Sequence, residues 1–168
     1  MQMRTLFIDA DACPVTKESL SCARRARVPV VLVGNGTQNL ERHIRHSDPR
    51  RADDARGADC SHGGFWVRTV TVGTGADSAD FAIVEELRTD DVVVTQDIGL
   101  ASMVLGRGAA AIGVRGRIYT KATIDMQLFL RHEEKKVRRA GGRTKGPDAF
   151  CQDDRERFVR NLDELLRS

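Results

Sequence analysis

Strand-like and helix-like segments alternate along most of this 168-residue chain, which predicts an α/β fold with a mainly parallel sheet of four to five strands. Most strand-like runs lead into a segment of helical periodicity, as the right-handed crossovers of a parallel sheet require. Hydrophobic residues make up 40% of the chain, which is enough for one continuous core. We therefore predict a single domain spanning residues 1–168.

The strands and helices of the first two thirds are predicted from apolar runs and from helix start and stop signals. The predicted strands are residues 5–8, 29–33, 67–72, 91–95 and 109–114. The predicted helices are residues 14–27, 77–88 and 100–105. Pro14 suits the first turn of its helix, and Gly106 ends the third helix. We expect Leu20, Ala23 and Ala26 to face the sheet, and Phe81, Val84 and Leu87 to share one side of the second helix.

Residues 120–168 are predicted as a helical extension of the domain. Thr120 or Thr123 can cap a helix that runs through a basic stretch and ends at residues 141–142, which are both glycine. Asp153 and Glu156 form an approximate capping box for a final helix. The apolar residues of that helix recur at helical spacing, so we expect it to dock on the core; they are Phe158, Leu162, Leu165 and Leu166.

Residues 34–66 are predicted as a polar insertion, with a short helix near residues 40–44. Phe65 and Trp66 would anchor its end where the third strand begins. The insertion also contains four nitrogen or sulfur ligands that could hold zinc, although solvated loop residues are the simpler interpretation; they are His43, His46, Cys60 and His62.

The net charge is only +3, but residues 131–145 hold seven basic residues against two acidic ones. This local excess suits either a solvated helix face or a surface that binds the phosphates of a nucleic acid. Under the second interpretation the contacts would come from Lys135, Lys136, Arg138, Arg139, Arg143 and Lys145.

The apolar runs are far shorter than the roughly 20 residues that a membrane-spanning helix needs, so we predict a cytoplasmic protein with no membrane partner. The four cysteines are widely spaced, which favours reduced thiols over disulfides. For Cys13 we favour a packing role, because carboxylates nearby would raise the pKa of its thiol. The sequence leaves a homodimer open.

Acidic residues follow three of the predicted strands. Asp9 and Asp11 follow the first strand, Asp77 and Asp80 open the helix after the third, and Asp97 follows the fourth. Ligands of open parallel sheets bind outside the carboxyl ends of the strands, so these side chains should converge. Crowded carboxylates repel one another unless a cation lies among them, which points to Mg²⁺ or Mn²⁺. Helix capping is the alternative role for each aspartate, and we favour it for Asp77.

Several segments together resemble the YaiI/YqxD family of uncharacterised bacterial proteins. They are FIDADACPV at residues 7–15, ADFAIV at 79–84, TQDIGLA at 95–101, RGRIY at 115–119, RTKGPDAF at 143–150 and DRERF at 154–158. The resemblance implies a PIN-like domain, a three-layer sandwich typical of metal-dependent ribonucleases, with acidic site residues at Asp9, Asp80 and Asp97. It also matches Thr95-Gln96-Asp97 to a Thr-x-Asp motif.

The function that we expect is a nuclease acting on RNA, in which one or two ions activate water and neutralise charge on the scissile phosphate. Asp9 and Asp97 would be the first ligands, Asp80 the next, Asp11 a ligand or a base that orients water, and Thr95 a supporting partner. One alternative is a haloacid-dehalogenase-like phosphatase, because Asp9 and Asp11 match the spacing of its nucleophile and general acid. A non-catalytic, metal-dependent RNA-binding module is another.

Overall fold

The computed structural model describes residues 4–11, 13–36, 40, 65–75, 78–146 and 148–168. Within these ranges the chain forms a five-stranded sheet of order β3-β2-β1-β4-β5, in which every neighbouring pair is parallel. The predicted α/β class is therefore confirmed. The elements are β1 (Leu6–Asp9), α1 (Thr16–Ala26), β2 (Val30–Asn35), β3 (Val67–Val72), α2 (Ser78–Glu86), β4 (Val92–Val94), α3 (Ile98–Gly106), β5 (Ala110–Ile112), α4 (Lys121–Arg139) and α5 (Gln152–Arg167).

The sheet separates two apolar cores, because successive side chains of a strand point to opposite faces. Leu6 and Ile8 of β1 pack on the side of α1 and α5, whereas Phe7 packs on the side of α2 and α3. Each core contains buried residues from helices as well as strands, including Phe158 of α5 on one side and Ile83 of α2 on the other. Helices thus cover both faces, which is the arrangement of a three-layer sandwich.

Helix α2 differs from the prediction in the face that it buries. Ile83 and Leu87 are buried, and Ala79 packs partly against the same core, so residues at four-residue spacing form the inner face. Phe81 lies about half a turn from Ile83 and is 66% exposed. Of the three residues predicted to share one side of this helix, Leu87 is therefore buried and Phe81 is exposed, because a helix wheel alone does not say which apolar stripe meets the sheet.

The two C-terminal helices begin with side-chain caps. Thr120 accepts the Thr123 backbone N–H and its own N–H donates to the Thr123 hydroxyl, so the predicted cap of α4 is confirmed. At α5 the capping box runs from Cys151 to Asp154, whose carboxylate accepts the Cys151 N–H at 3.1 Å, so the predicted box from Asp153 to Glu156 was wrong by two residues.

Helix α5 docks against α1 and the turn after β5. Phe158, Leu162 and Leu166 are buried, which confirms the predicted apolar face. Gly116 has φ +83, and a Cβ there would lie 2.6 Å from the Phe158 backbone nitrogen. A side chain at Gly116 would therefore push α5 away from the turn. The Asn161 side-chain amide donates to the Gly116 carbonyl at 2.7 Å and closes the same contact.

Phe65 and Trp66 anchor the start of β3, as the sequence predicted. Phe65 packs partly against the core on the side of α1, with the Arg24 guanidinium 5.0 Å from its ring centre. Trp66 packs partly against the opposite core. The predicted short helix at residues 40–44 lies almost entirely outside the described residues. None of the described helices has the length and apolar composition needed to cross a membrane.

Candidate metal centre at the carboxyl edge of the sheet

The order of the strands creates a natural ligand crevice between β1 and β4. From β1 the chain moves outward to β2 and β3, then returns to the other side of β1 as β4 and continues to β5. Crevices at such reversals, outside the carboxyl ends of the strands, are the usual ligand sites of open α/β sheets. Asp9 is the last residue of β1, and Thr95 follows β4 directly, so both lie at this edge.

A hydrogen-bonded chain joins the two strand ends. The Thr95 hydroxyl donates to Asp9 Oδ2 at 3.0 Å, and the Asp97 backbone N–H donates to the Thr95 Oγ1 atom at 3.0 Å. Residue alternation explains the first contact, because Phe7 and Val93 face the α2/α3 core, and Asp9 and Thr95 each follow two residues later. Thr95 is buried, so it can fix the orientation of the Asp9 carboxylate, which is the supporting role that the sequence predicted for it.

Asp97 is the N-cap of α3. Its Oδ1 atom accepts the backbone N–H groups of Gly99 at 2.6 Å and Leu100 at 3.2 Å. Both bonds use Oδ1, so the cap does not require the second carboxylate oxygen. The capping role that the sequence left open for each aspartate therefore applies to Asp97, and it leaves one oxygen for another partner.

Asp11 lies over the end of β2. Its carboxylate oxygens lie 3.1 Å and 3.4 Å from the Asn35 backbone nitrogen, whose N–H they accept. A Cβ on Gly34 would lie 3.1 Å from Asp11 Oδ1, so the missing side chain gives the carboxylate room to approach the strand. Gly34 is thus one reason why the residue two positions after β1 can turn toward β2.

The carboxylates at this edge affect one another. Burial is the main factor that raises the pKa of Asp9, and the charges of Asp11 and Asp97 raise it further. The Thr95 hydroxyl and the Asp11 backbone N–H oppose that rise by hydrogen bonding to the carboxylate. The charges that raise the pKa of Asp9 thus come from two of the other predicted ligands, Asp11 and Asp97.

The other two predicted acidic residues are placed less directly. Asp80 lies half-buried in the first turn of α2, a helix that packs against β1, β2 and α3. Asp77 lies outside the described residues.

The carboxylate oxygens at this edge fit a Mg²⁺ or Mn²⁺ ion that keeps several waters better than an ion fully enclosed by side chains. Among the described residues, no three acidic, histidine or cysteine side chains are grouped closely enough to hold a metal ion. Magnesium does not need such a cage, because it usually keeps several waters and binds through one or two carboxylates together with substrate phosphates. Carboxylate oxygens from Asp9, Asp11 and Asp97 suit that pattern.

Tyr119 is a neighbour of the acidic edge that sequence reasoning missed. Its side chain is buried, and burial raises the pKa of its hydroxyl, with the Arg117 charge lowering it and the Asp97 charge raising it. Its hydroxyl oxygen would be 3.0 Å from a Cβ on Gly113, so a glycine makes room for it. Two features of the sequence could have pointed to this residue: Tyr119 is the only tyrosine of the chain, and it lies in the RGRIY segment.

Comparison with known proteins identifies the family. The model of the "Uncharacterized BCR, YaiI/YqxD family" matches residues 7–59 and 56–168. A UPF0178 protein of Bacillus velezensis is 39% identical over 97% of this chain and 85% of its own length. A UPF0178 protein of Rhodospirillum rubrum is 37% identical over 97% of this chain and 95% of its own length.

This chain belongs to the YaiI/YqxD family.

The family resemblance noted in the sequence is thereby confirmed, and it covers nearly the whole chain. The printed names of these relatives assign them no activity, ligand or partner. No solved structure matches the chain significantly. The chemistry of this YaiI/YqxD protein therefore has to be argued from its own site.

The start of α5 and the residues just before it contact the loop that carries Asp11. Arg155 donates to the Pro14 carbonyl at 3.0 Å and to Glu18 at 2.5 Å, both at the start of α1. The Phe150 ring lies 4.9 Å from the Arg155 guanidinium and 5.6 Å from that of Arg115. The YaiI/YqxD segment around Phe150 thus supports the loop after β1, a role that spacing along the sequence could not reveal.

The six basic residues singled out from the sequence are exposed on the last turns of α4 and in the segment that follows; they are Lys135, Lys136, Arg138, Arg139, Arg143 and Lys145. Lys136 pairs with Glu133 at 2.9 Å, and Lys145 with Asp148 at 3.1 Å. Exposed pairs of this kind contribute little to stability, so these cations remain available to an anionic partner.

Two further sequence predictions have different outcomes. The four candidate zinc ligands of the insertion, His43, His46, Cys60 and His62, all lie outside the described residues. Cys13 packs partly against the α1/α5 core, and burial raises the pKa of its thiol, with the Asp9 and Glu18 charges acting in the same direction. This environment favours the packing role over a reactive thiolate.

Proposed function

We propose that this YaiI/YqxD protein is a divalent-metal-dependent phosphodiesterase that acts on RNA. The observation that carries the proposal is that Asp9 and Asp97 lie at the strand-order reversal, joined through the Thr95 hydroxyl, with Asp11 at the end of the neighbouring strand β2. Such a group of acids is costly to the fold unless it serves a cation. The argument for RNA is the excess of exposed Arg and Lys in residues 131–145.

Each residue has a role that follows from its contacts. Asp9 and Asp97 would be the principal Mg²⁺ or Mn²⁺ ligands, with Asp11 and Asp80 contributing an oxygen or orienting water. A bound ion would supply an activated water and neutralise charge on the phosphate. Thr95 would keep the Asp9 carboxylate aimed at the crevice through its 3.0 Å hydrogen bond.

The basic residues would bind the phosphate backbone. Each phosphate that they neutralise releases counterions, so binding should weaken as salt rises. Changing Lys135, Arg138, Arg143 and Lys145 to Gln should weaken binding of single-stranded RNA and flatten the plot of log affinity against log salt. An unchanged slope, measured by fluorescence anisotropy, would remove these residues from the RNA surface.

Activity can be tested with two substrates and a matched set of variants. Purified protein with Mn²⁺ should cut internal bonds of end-labelled single-stranded RNA, and Asp9→Asn and Asp97→Asn should abolish the cleavage. Asp153→Asn, which removes an exposed carboxylate on α5, is the control and should cut like wild type. Release of phosphate from a small phosphoester without RNA cleavage would favour the phosphatase. Salt-sensitive RNA binding with no cleavage would favour the binding module.

A further inference from the structure

Helix α4 presents an uncovered apolar surface. It packs on α3 through Ile124, the one α4 side chain that is buried. Five bulky apolar side chains of α4 are exposed, and four of them lie away from α3: Met126, Phe129, Leu130 and Val137 are 65%, 63%, 51% and 45% exposed, and the fifth is Leu128. An exposed group of this size on one element is typical of an interaction site.

These four side chains form one stripe along the helix. Their spacings of three, four and seven residues keep them within about a third of the helix circumference at about 100° per residue. Ile124 is about 200° from Met126, so the stripe faces away from α3. Glu133 falls within the stripe, but the Lys136 ammonium neutralises it at 2.9 Å. The stripe therefore has the composition of a helix-pairing seam.

We propose that this stripe is the interface of a homodimer, in which the α4 helices of two copies pack antiparallel about a two-fold axis. The charges beside the stripe favour a second copy of this chain as the partner. Asp125 and Arg139 are fourteen residues apart, which puts them on the same flank of the stripe, and both are exposed. Neither forms an ion pair with another residue of the described ranges.

Antiparallel packing satisfies both of these charges. It brings the same flank of each helix together, so Asp125 of one copy lies beside the partner's Arg139, and the reverse pair forms at the other end. Met126 then approaches the partner's Val137, with Phe129 and Leu130 near the centre. A parallel pair would instead place the basic last turns of both helices side by side, with their dipoles aligned unfavourably.

The mass of the full-length chain in solution tests the proposal. Sedimentation equilibrium should give twice the chain mass of 18.6 kDa at protein concentrations on the order of 100 µM. Phe129→Asp and Leu130→Asp should each shift the protein to monomer, with unchanged circular dichroism because both side chains are exposed. Lys17→Asp, an exposed charge change on α1, is the matched control and should remain dimeric.

Charge exchange tests the antiparallel order. Asp125→Arg and Arg139→Asp should each weaken dimerisation by about tenfold or more, and the double exchange should restore it. A wild-type chain that stays monomeric at the highest concentration overturns the proposal, even if it binds RNA or vesicles through α4. A dimer that survives Leu130→Asp overturns it too, because its interface lies elsewhere. Failure of the double exchange to restore dimerisation overturns the antiparallel pairing.

Discussion

Helices α4 and α5 both carry apolar residues at helical spacing among many charged ones, yet their apolar faces have opposite surroundings. Phe158, Leu162 and Leu166 of α5 are buried against α1 and the sheet, whereas Phe129 and Leu130 of α4 face solvent. Amphipathic periodicity therefore defines a face but does not say what covers it. The face that the fold leaves uncovered is where an interaction is expected, and the covered face is where stability is expected.

The largest expected effect is a difference in unfolding free energy between a variant in α5 and a variant in α4. Phe158→Ala empties a fully buried position and should cost about 3–5 kcal/mol of unfolding free energy. Phe129→Ala removes the same side chain from an exposed position and should change the monomer's stability by only about 0.5 kcal/mol. Urea unfolding of both variants, at concentrations low enough to keep the chain monomeric, measures the difference. Equal losses would mean that the Phe129 side chain is covered within the same chain.

The second prediction compares charged side chains in two surroundings. Asp9 and Asp97 lie near one another at the sheet edge, whereas Asp153 lies on the surface of α5. Without metal, Asp9→Asn and Asp97→Asn should be as stable as wild type or slightly more stable, since repulsion is relieved and Asn caps a helix as well as Asp does. Mg²⁺ or Mn²⁺ at a hundredfold excess over its dissociation constant should stabilise wild type by about 2.7 kcal/mol.

Thermal melts with and without the ion measure this shift. The Asp9→Asn and Asp97→Asn variants should gain little, and Asp153→Asn should gain as much as wild type. If Asp97→Asn lowers the melting temperature without metal and keeps the full metal shift, Asp97 is a structural cap only.

The smallest expected effect concerns the pKa values of two carboxylates, Asp154 on α5 and Glu133 on α4. The Cys151 backbone N–H, followed by the Cys151 thiol and the charges of Arg115 and Arg157, lowers the pKa of buried Asp154 at the start of α5. The Lys136 ammonium lowers the pKa of Glu133 on α4, but that pair is exposed. A depressed native pKa stabilises the fold above the unfolded value of 3.8, and this stability is lost as the pH falls through the native value.

Acid unfolding of Asp154→Asn and Glu133→Gln tests the difference. Asp154→Asn should be less stable than wild type at neutral pH, and the two should begin to converge as the pH falls below the unfolded value of 3.8 and meet below the lower native pKa, where the native carboxyl is protonated. Glu133→Gln should follow the wild-type curve, because solvent screens an exposed pair. A parallel loss in both variants would contradict the assignment of Asp154 as the structural cap.

Much of the candidate site could be predicted from the sequence, because parallel strands end at a common edge. The positions of Asp9, Thr95 and Asp97 after two strands were enough to predict their convergence, and the structure links them through hydrogen bonds. Tyr119 could not be placed in this way, since its approach to Asp97 depends on how the chain turns back after β5. The Asn35 N–H that holds Asp11 depends likewise on where β2 ends.

Local patterns in the sequence determined the α/β class, the parallel sheet, the Thr120 cap and the apolar face of α5, because each of these depends on residues close along the chain. Only the tertiary structure decided which faces are covered. Phe81, which was predicted to share one side of α2 with Leu87, is exposed, whereas Phe158 is buried against α1 and the sheet, elements that lie far away in sequence. Burial depends on contacts between distant segments, and periodicity within one segment carries no information about its neighbours in space.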